Sequence, residues 1–224
     1  MRRSDRKHFI VLHGWGKTSR DMQRWSAYAT EAFDDVTVWN VDYPTDVSFV
    51  AAAGALVDGF YTMRQYGYRF EDVYFIGYSM GGLVARQMVA MGFPVTSLIT
   101  VCSPHHGVNR YIFTRGNEGV RSLQKNSPEI LSLNNSDRDM QMRSRYLFCS
   151  VAHTFKLPLL PRSQPEDTDT VVSGNSARGV KLGVKGMSVL LHMNNVMDEF
   201  RGNPHLEGMN PLYFKHAINR SIEK

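Results

Sequence analysis

The chain has 224 residues, 42% of them hydrophobic and 21% charged, the proportions of an ordinary folded domain, which excludes wholesale disorder. No apolar run approaches the roughly 18 residues of a membrane span, so stable membrane insertion is not expected. The 26 Lys and Arg against 21 Asp and Glu leave a net charge of +5. With no interleaved aromatic and basic stripe, that balance points away from nucleic acid.

The basic opening Met1–Lys7 is followed only by Phe9-Ile10-Val11-Leu12, too short for the apolar region of a secretion signal and better suited to a first strand. Cys102 and Cys149 are the two cysteines. They give no disulfide framework, so a reducing, cytoplasmic compartment is expected. Both are placed in strands as small core residues.

In chain order, His8–Leu12 is a buried strand ending at His13-Gly14. Thr18 or its neighbours cap a helix to about Phe33, with Met22, Trp25, Ala29 and Phe33 at helical spacing. A β-branched strand at Val36–Val41 stops before Pro44. Thr45 or Asp46 opens a helix to about Tyr66, striped by Phe49, Ala53, Leu56 and Phe60. Val73–Ile76 is a third strand and Gly81–Met91 a helix that Gly92 and Pro94 end. Further strands are predicted at Val95–Val101, Tyr146–Ala152 and Met187–Leu191. Such alternation implies a single α/β domain over 1–224, with a mostly parallel sheet covered on both faces. Two stretches interrupt it. Residues 108–144, with short helices at Glu118–Lys125 and Pro128–Leu133, read as either a lid or a ragged crossover. Residues 153–186 read as loop with at most one hairpin, and their prolines oppose a helix before 166.

Gly77-Tyr78-Ser79-Met80-Gly81 stands where a strand meets a helix. A Gly-x-Ser-x-Gly at that junction turns the chain sharply and exposes a strained serine. The small residues are needed because strand and helix backbones crowd them. His13-Gly14-Trp15-Gly16 ends the first strand and can turn a backbone N–H toward that serine. Acyl transfer needs two donors at the developing oxyanion, and the N–H groups of Trp15 and Met80 are the pair expected. His13 fits a loop-shaping role better than that of a base.

Phe-Ile-Val-Leu-His-Gly-Trp-Gly, Ile-Gly-Tyr-Ser-Met-Gly-Gly and Cys-Ser-Pro-His-His-Gly together resemble the α/β-hydrolase superfamily over residues 8–107. They are most similar to its small lipase and esterase branch. The resemblance implies an α/β-hydrolase fold and a serine hydrolase that cleaves carboxylic esters without a cofactor. It also implies the order serine, acid, histidine. Ser79 is then the nucleophile. Asp169 is the leading acid, with Asp167 its competitor, in a loop that also holds Glu166. His192 is the leading base, because it ends the last strand and follows the acids, whereas His153 precedes them and His205 and His216 come later. Tyr78, His13, His105 and His106 are expected at the substrate site. The adjacent His105-His106 pair makes a poor chelate in extended backbone, where neighbouring side chains diverge, so no metal is expected. The substrate is a small-molecule or lipid ester. An acyltransferase or thioesterase with the same triad is the close rival, and a non-catalytic binding module on this fold is the rival of another class.

Overall fold

The computed structural model describes residues 7–32, 34–108, 117–144, 148–154, 172, 174–179, 182 and 187–192, with backbone alone at 32, 148–154, 174–175 and 187–192. Six strands form one sheet: β1 (Lys7–Leu12), β2 (Val36–Val41), β3 (Val73–Tyr78), β4 (Ser97–Val101), β5 (Phe148–Thr154) and β6 (Met187–His192). Their order is β2-β1-β3-β4-β5-β6, and every neighbouring pair is parallel. All six predicted strands are present. β3 runs two residues further than its apolar run, and β4 starts at Ser97 in place of Val95. Cys102 lies one residue beyond β4, buried and with φ of 50°, rather than inside the strand.

The helices are α1 (Gln23–Ala32), α2 (Phe49–Met63), α3 (Met80–Ala90), α4 (Glu118–Ser122), α5 (Pro128–Asn134), α6 (Asp137–Ser144) and α7 (Gly174–Ala177). A 3-10 turn at Ser19–Met22 leads into α1, and another at Arg64–Tyr66 extends α2. Thr18 begins the first of these, its N–H held by the Asp21 carboxylate at 2.8 Å. Phe33, the last predicted member of the α1 stripe, lies outside the described residues.

β1 is an unbroken apolar run because both of its faces are covered. Ile10 and Leu12 meet α2 and α3 in one cluster with Phe49, Ala53, Phe75, Leu83 and Leu98. Phe9 and Val11 meet the 3-10 turn and α1 in the other, through Met22 of the turn and Trp25 and Ala29 of the helix, together with Ile76, Tyr78, Ile99 and Val101. Each fully buried side chain of this size contributes about 1.5–3 kcal/mol. α3 ends as its Gly92-Pro94 signal predicts. Gly92 has φ of 93°, its N–H bonds the Val89 carbonyl at 2.9 Å, and that of Phe93 bonds Met88 at 3.0 Å. These are the two bonds of a Schellman cap.

The second helix starts later than expected. Ser48 caps it, accepting the N–H of Ala51 at 3.2 Å. Thr45 and Asp46 are otherwise engaged: the Thr45 hydroxyl accepts the N–H of Gly16 at 3.1 Å, and the Asp46 carbonyl that of Gly119 at 3.1 Å. Within 108–144, α4 to α6 bring Val120, Leu123, Ile130, Leu133 and Met142 into the main core. Residues 109–116 of that stretch lie outside the described residues. α6 was not expected, and its buried positions are Asp139, Met142 and Arg143.

Candidate active site

The strand order reverses between β1 and β3, and a parallel sheet binds ligands at such a point, beyond the C-terminal ends of the strands. Leu12 is paired with Gly77 in register, so the chain leaves β1 as His13-Gly14 beside the chain leaving β3 as Tyr78-Ser79. Ser79 has φ of 52° and ψ of −120° immediately before the first turn of α3. A non-glycine residue there costs about 1–3 kcal/mol, which the surrounding packing must offset. Its N–H bonds the carbonyl of Val101 at 2.8 Å, and its own carbonyl accepts from Gly82 at 3.2 Å.

The glycines around it are sterically required. A Cβ on Gly77 would stand 2.4 Å from the backbone of Gly82, and one on Gly81 would stand 2.3 Å from the Leu12 carbonyl oxygen. On Gly82 it would stand 2.0 Å from the Ser103 hydroxyl. Strand, helix and the loop after β4 therefore converge on one small volume beneath Ser79. Met80, the first residue of α3, is fully buried. Its N–H is among the first of a helix, which have no intrahelical acceptor and carry the positive end of the helix dipole.

Gly14 approaches the serine from β1: a Cβ there would lie 3.0 Å from the Tyr78 ring and 3.1 Å from the Ser79 Cβ. The turn is held by Lys17 N–H to the Gly14 carbonyl at 3.2 Å, and Gly16 takes φ of 66° within it. Trp15, at its tip, is 37% exposed. Tyr78 is buried against the edge of Trp25.

His13 is buried and stacked on Tyr43 at 4.2 Å between ring centroids. Its Nε2 accepts the Tyr43 N–H at 3.4 Å, so Nδ1 carries the proton and donates to the Gly14 carbonyl at 3.0 Å. The Tyr43 hydroxyl donates to the His13 carbonyl. Burial holds the imidazole below its ordinary pKa, against the opposing pull of its Gly14 bond and of Asp42. A neutral ring with both nitrogens engaged shapes the loop.

His105 and His106 occupy a turn, closed by Gly107 N–H to the Pro104 carbonyl at 2.8 Å, rather than the expected extended backbone. His105 is fully buried and His106 half-buried. Arg86 Nη1 lies 3.1 Å from His105 Nδ1, and a guanidinium only donates, so Nε2 carries the proton and donates to the Thr100 hydroxyl at 3.0 Å. Burial, then the Arg86 charge, holds this imidazole neutral, well below the ordinary histidine range. Among the described residues no group of three His, Cys, Asp or Glu side chains gathers to hold a metal ion.

Arg86 itself went unnoticed in the sequence. It is fully buried on α3, one turn beyond Gly82, with Nε to Asp139 Oδ1 at 3.0 Å and Nη2 to Oδ2 at 2.7 Å. Arg143 Nε shares that Oδ2 at 2.7 Å. The available signal was a lone cation, with one glutamine beside it, in a helix otherwise without polar side chains, Leu83-Val84-Ala85-Arg86-Gln87-Met88. Asp169 and Asp167 lie outside the described residues. His192 is the last residue of β6, paired with Thr154.

A model of the palmitoyl protein thioesterases matches residues 8–151, well over half the chain. The chain belongs to the palmitoyl protein thioesterase family. Solved structures agree on the α/β-hydrolase fold. The mature lipase BlEst2 of Bacillus licheniformis is similar at 15% identity and a TM-score of 0.64, covering 95% of this chain and 92% of its own. The lin2722 gene product of Listeria innocua is similar at 11% identity and 0.60, covering 98% and 95%. Lipase B of Aspergillus fumigatus is similar at 14% identity and 0.59, covering 97% of this chain and 52% of its own. No curated protein matches the chain. This palmitoyl protein thioesterase family member is a serine hydrolase of the α/β type, and no helix among its described residues is long and apolar enough to cross a membrane.

Proposed function

We propose that the protein hydrolyses carboxylic esters and thioesters of lipid-like acyl groups through an acyl-enzyme formed on Ser79. The observation that carries this reading is the Ser79 backbone, φ 52° at the junction of β3 and α3, with the Gly14 turn packed against it. The name of the matching family favours a thioester among the substrates.

In the reaction, His192 accepts the Ser79 proton as the serine oxygen attacks the acyl carbon. Asp169 orients the imidazole and offsets its charge. The N–H groups of Trp15 and Met80 bind the oxyanion, and the exposed indole of Trp15 forms one wall for the acyl chain. The imidazolium then protonates the leaving alcohol or thiol. A water, deprotonated by the same imidazole, releases the acid and restores Ser79.

Asp169 falls in the connection between β5 and β6, and His192 ends β6. Because the strands are parallel, β5 and β6 both end at the side of the sheet where Ser79 stands. β6 is three strand spacings from β3, roughly 14 Å, more than one side chain spans, so the reading requires the chain at the end of β6 to carry His192 back toward Ser79. His205, with a longer tether after the strand, is the rival base.

The test is hydrolysis of p-nitrophenyl esters and acyl thioesters, each from acetyl to palmitoyl, by the wild type and by Ser79→Ala, His192→Ala and His205→Ala. The reading expects activity that rises with chain length, is abolished with Ser79 and falls with His192. The rate should rise with pH near the ordinary histidine pKa of about 6.5. A loss confined to His205→Ala would move the base. Capture of the acyl group by added alcohol or amine in place of water would make the protein a transferase.

A further inference from the structure

We propose that the cavity at the end of α3 far from Ser79 binds a medium-chain carboxylate, with the alkyl chain on an apolar floor and the headgroup on Arg138. The cavity measures about 240 Å³ and lies between the C-terminus of α3, the start of β4 and α6. Val89, Phe93, Leu98 and Met142 form its floor, each no more than 5% exposed. Arg138 and Gln141 stand exposed at its rim. An apolar cavity of about 150 Å³ takes a benzene ring, so this volume suits a chain of roughly eight carbons. The 11 residues of α3 separate the cavity from the elbow, roughly 16 Å of helix. It is a second site, and its existence does not depend on the Ser79 reading.

Charge selects the occupant. None of the residues lining the cavity is acidic, and among the described residues no carboxylate pairs with Arg138. Its neighbour Asp139 is engaged by Arg86 and Arg143, at 2.7 Å to each. Gly92 lets the guanidinium lie against the backbone there: it has φ of 93°, and a Cβ on it would stand 2.2 Å from Arg138 Nη1. A cation is favoured beside the last carbonyls of a helix, which holds the group at the end of α3. Its planar fork of N–H donors matches the two oxygens of a carboxylate. An alkyl carboxylate meets both demands of the cavity, because its chain leaves water for the floor while its charge stays at the open rim.

The test titrates octanoate, octanol and acetate into the intact chain at about pH 8, where carboxylic acids are ionised. It follows the Met142 methyl resonance by NMR of protein labelled at its methionine methyls, with Met142→Leu, a volume-conserving change, to assign the signal. Octanoate is expected to shift that resonance to saturation. It should bind about tenfold more tightly than octanol, the contribution of charge-assisted bonds at an open rim. It should bind about a hundredfold or more tighter than acetate, since each buried methylene adds about fourfold. Arg138→Ala, a change at an exposed position, should weaken octanoate about tenfold and leave octanol unchanged. A Met142 resonance that octanoate does not move overturns the proposal, as does octanol binding as tightly as octanoate. Equal weakening of octanoate and octanol in Arg138→Ala would confine Arg138 to the helix end and overturn it too. Because Met142 reports on this cavity and not on the elbow, failure of the nucleophile reading would leave these outcomes unchanged.

Discussion

Gly14 and Ser79 are in contact across the gap between β1 and β3, so close that a methyl group on Gly14 would stand 3.1 Å from the Ser79 Cβ. The residue after Gly14 is the expected oxyanion donor, and the residue after Ser79 is the other. The contact therefore sets the spacing of both donors. Gly14→Ala should leave the protein folded, because 3.0–3.1 Å contacts can relax by a few tenths of an ångström. It should lower kcat about tenfold or more with a smaller effect on KM. Steady-state kinetics beside a thermal melt checks this, and an unchanged kcat would separate the Gly14 turn from the chemistry.

The glycines divide by what surrounds them. Gly81 has backbone carbonyl oxygen 2.3 Å from where a Cβ would sit, whereas Gly59, exposed in α2, has nothing within 4 Å. Gly81→Ala should destabilise by roughly 1–3 kcal/mol or more. Gly59→Ala should stabilise by about 0.5–1 kcal/mol, because alanine loses less backbone entropy in a helix. Urea unfolding of the two variants measures both signs.

Asp139 stands between two buried guanidinium groups, Arg86 and Arg143, with salt-bridge distances of 2.7 Å to each. Asp139→Ala leaves both cations buried and facing one another. Removing one partner of a buried pair costs about 3–5 kcal/mol, and a loss of that order is expected in the urea midpoint. A change below about 1 kcal/mol would mean that the group behaves as a surface pair.

His8, His13 and His105 are all buried, and in each desolvation is the largest influence, holding the pKa below its ordinary value. In the unfolded chain they bind protons near pH 6.5, while in the fold they stay neutral to lower pH. Between those two values the unfolded state carries more protons, so stability falls as pH drops below about 6.5 and is unaffected above it. Melting temperatures across pH 5–8 should be level above 7 and decline below 6.5. A melting temperature that is constant or higher at pH 5 would contradict the buried neutral state of these rings.

The elements that bury apolar stripes were legible in the residues. β1 shows as a continuous run because it is covered twice, and the elbow shows as glycines around a serine because backbones collide there. α6 was not legible, since what it buries is Asp139 and Arg143, and a stripe made of ions has no apolar period. The start of α2 was misplaced for a related reason. Thr45 and Asp46 are good caps by type, but the Gly16 N–H takes the Thr45 hydroxyl and the Gly119 N–H takes the Asp46 backbone carbonyl, which a capping residue would give to the helix. The tautomers of His13 and His105 depend on Tyr43 and Arg86, partners that only the folded chain brings near. The choice of Asp169 over Asp167 rests on the resemblance of Asp169-Thr170-Val171-Val172 to the family's acid and the apolar pair after it, and that of His192 over His205 on its place directly at the end of the last strand.

The most direct measurement is peptide mapping of the intact protein after reaction with a fluorophosphonate, with Ser79→Ala assayed in parallel on esters and thioesters. The account predicts a single adduct on the peptide containing Ser79 and a fall in hydrolysis of about a thousandfold or more in the variant. An unlabelled wild type, or a Ser79→Ala protein that still turns over substrate, would contradict it.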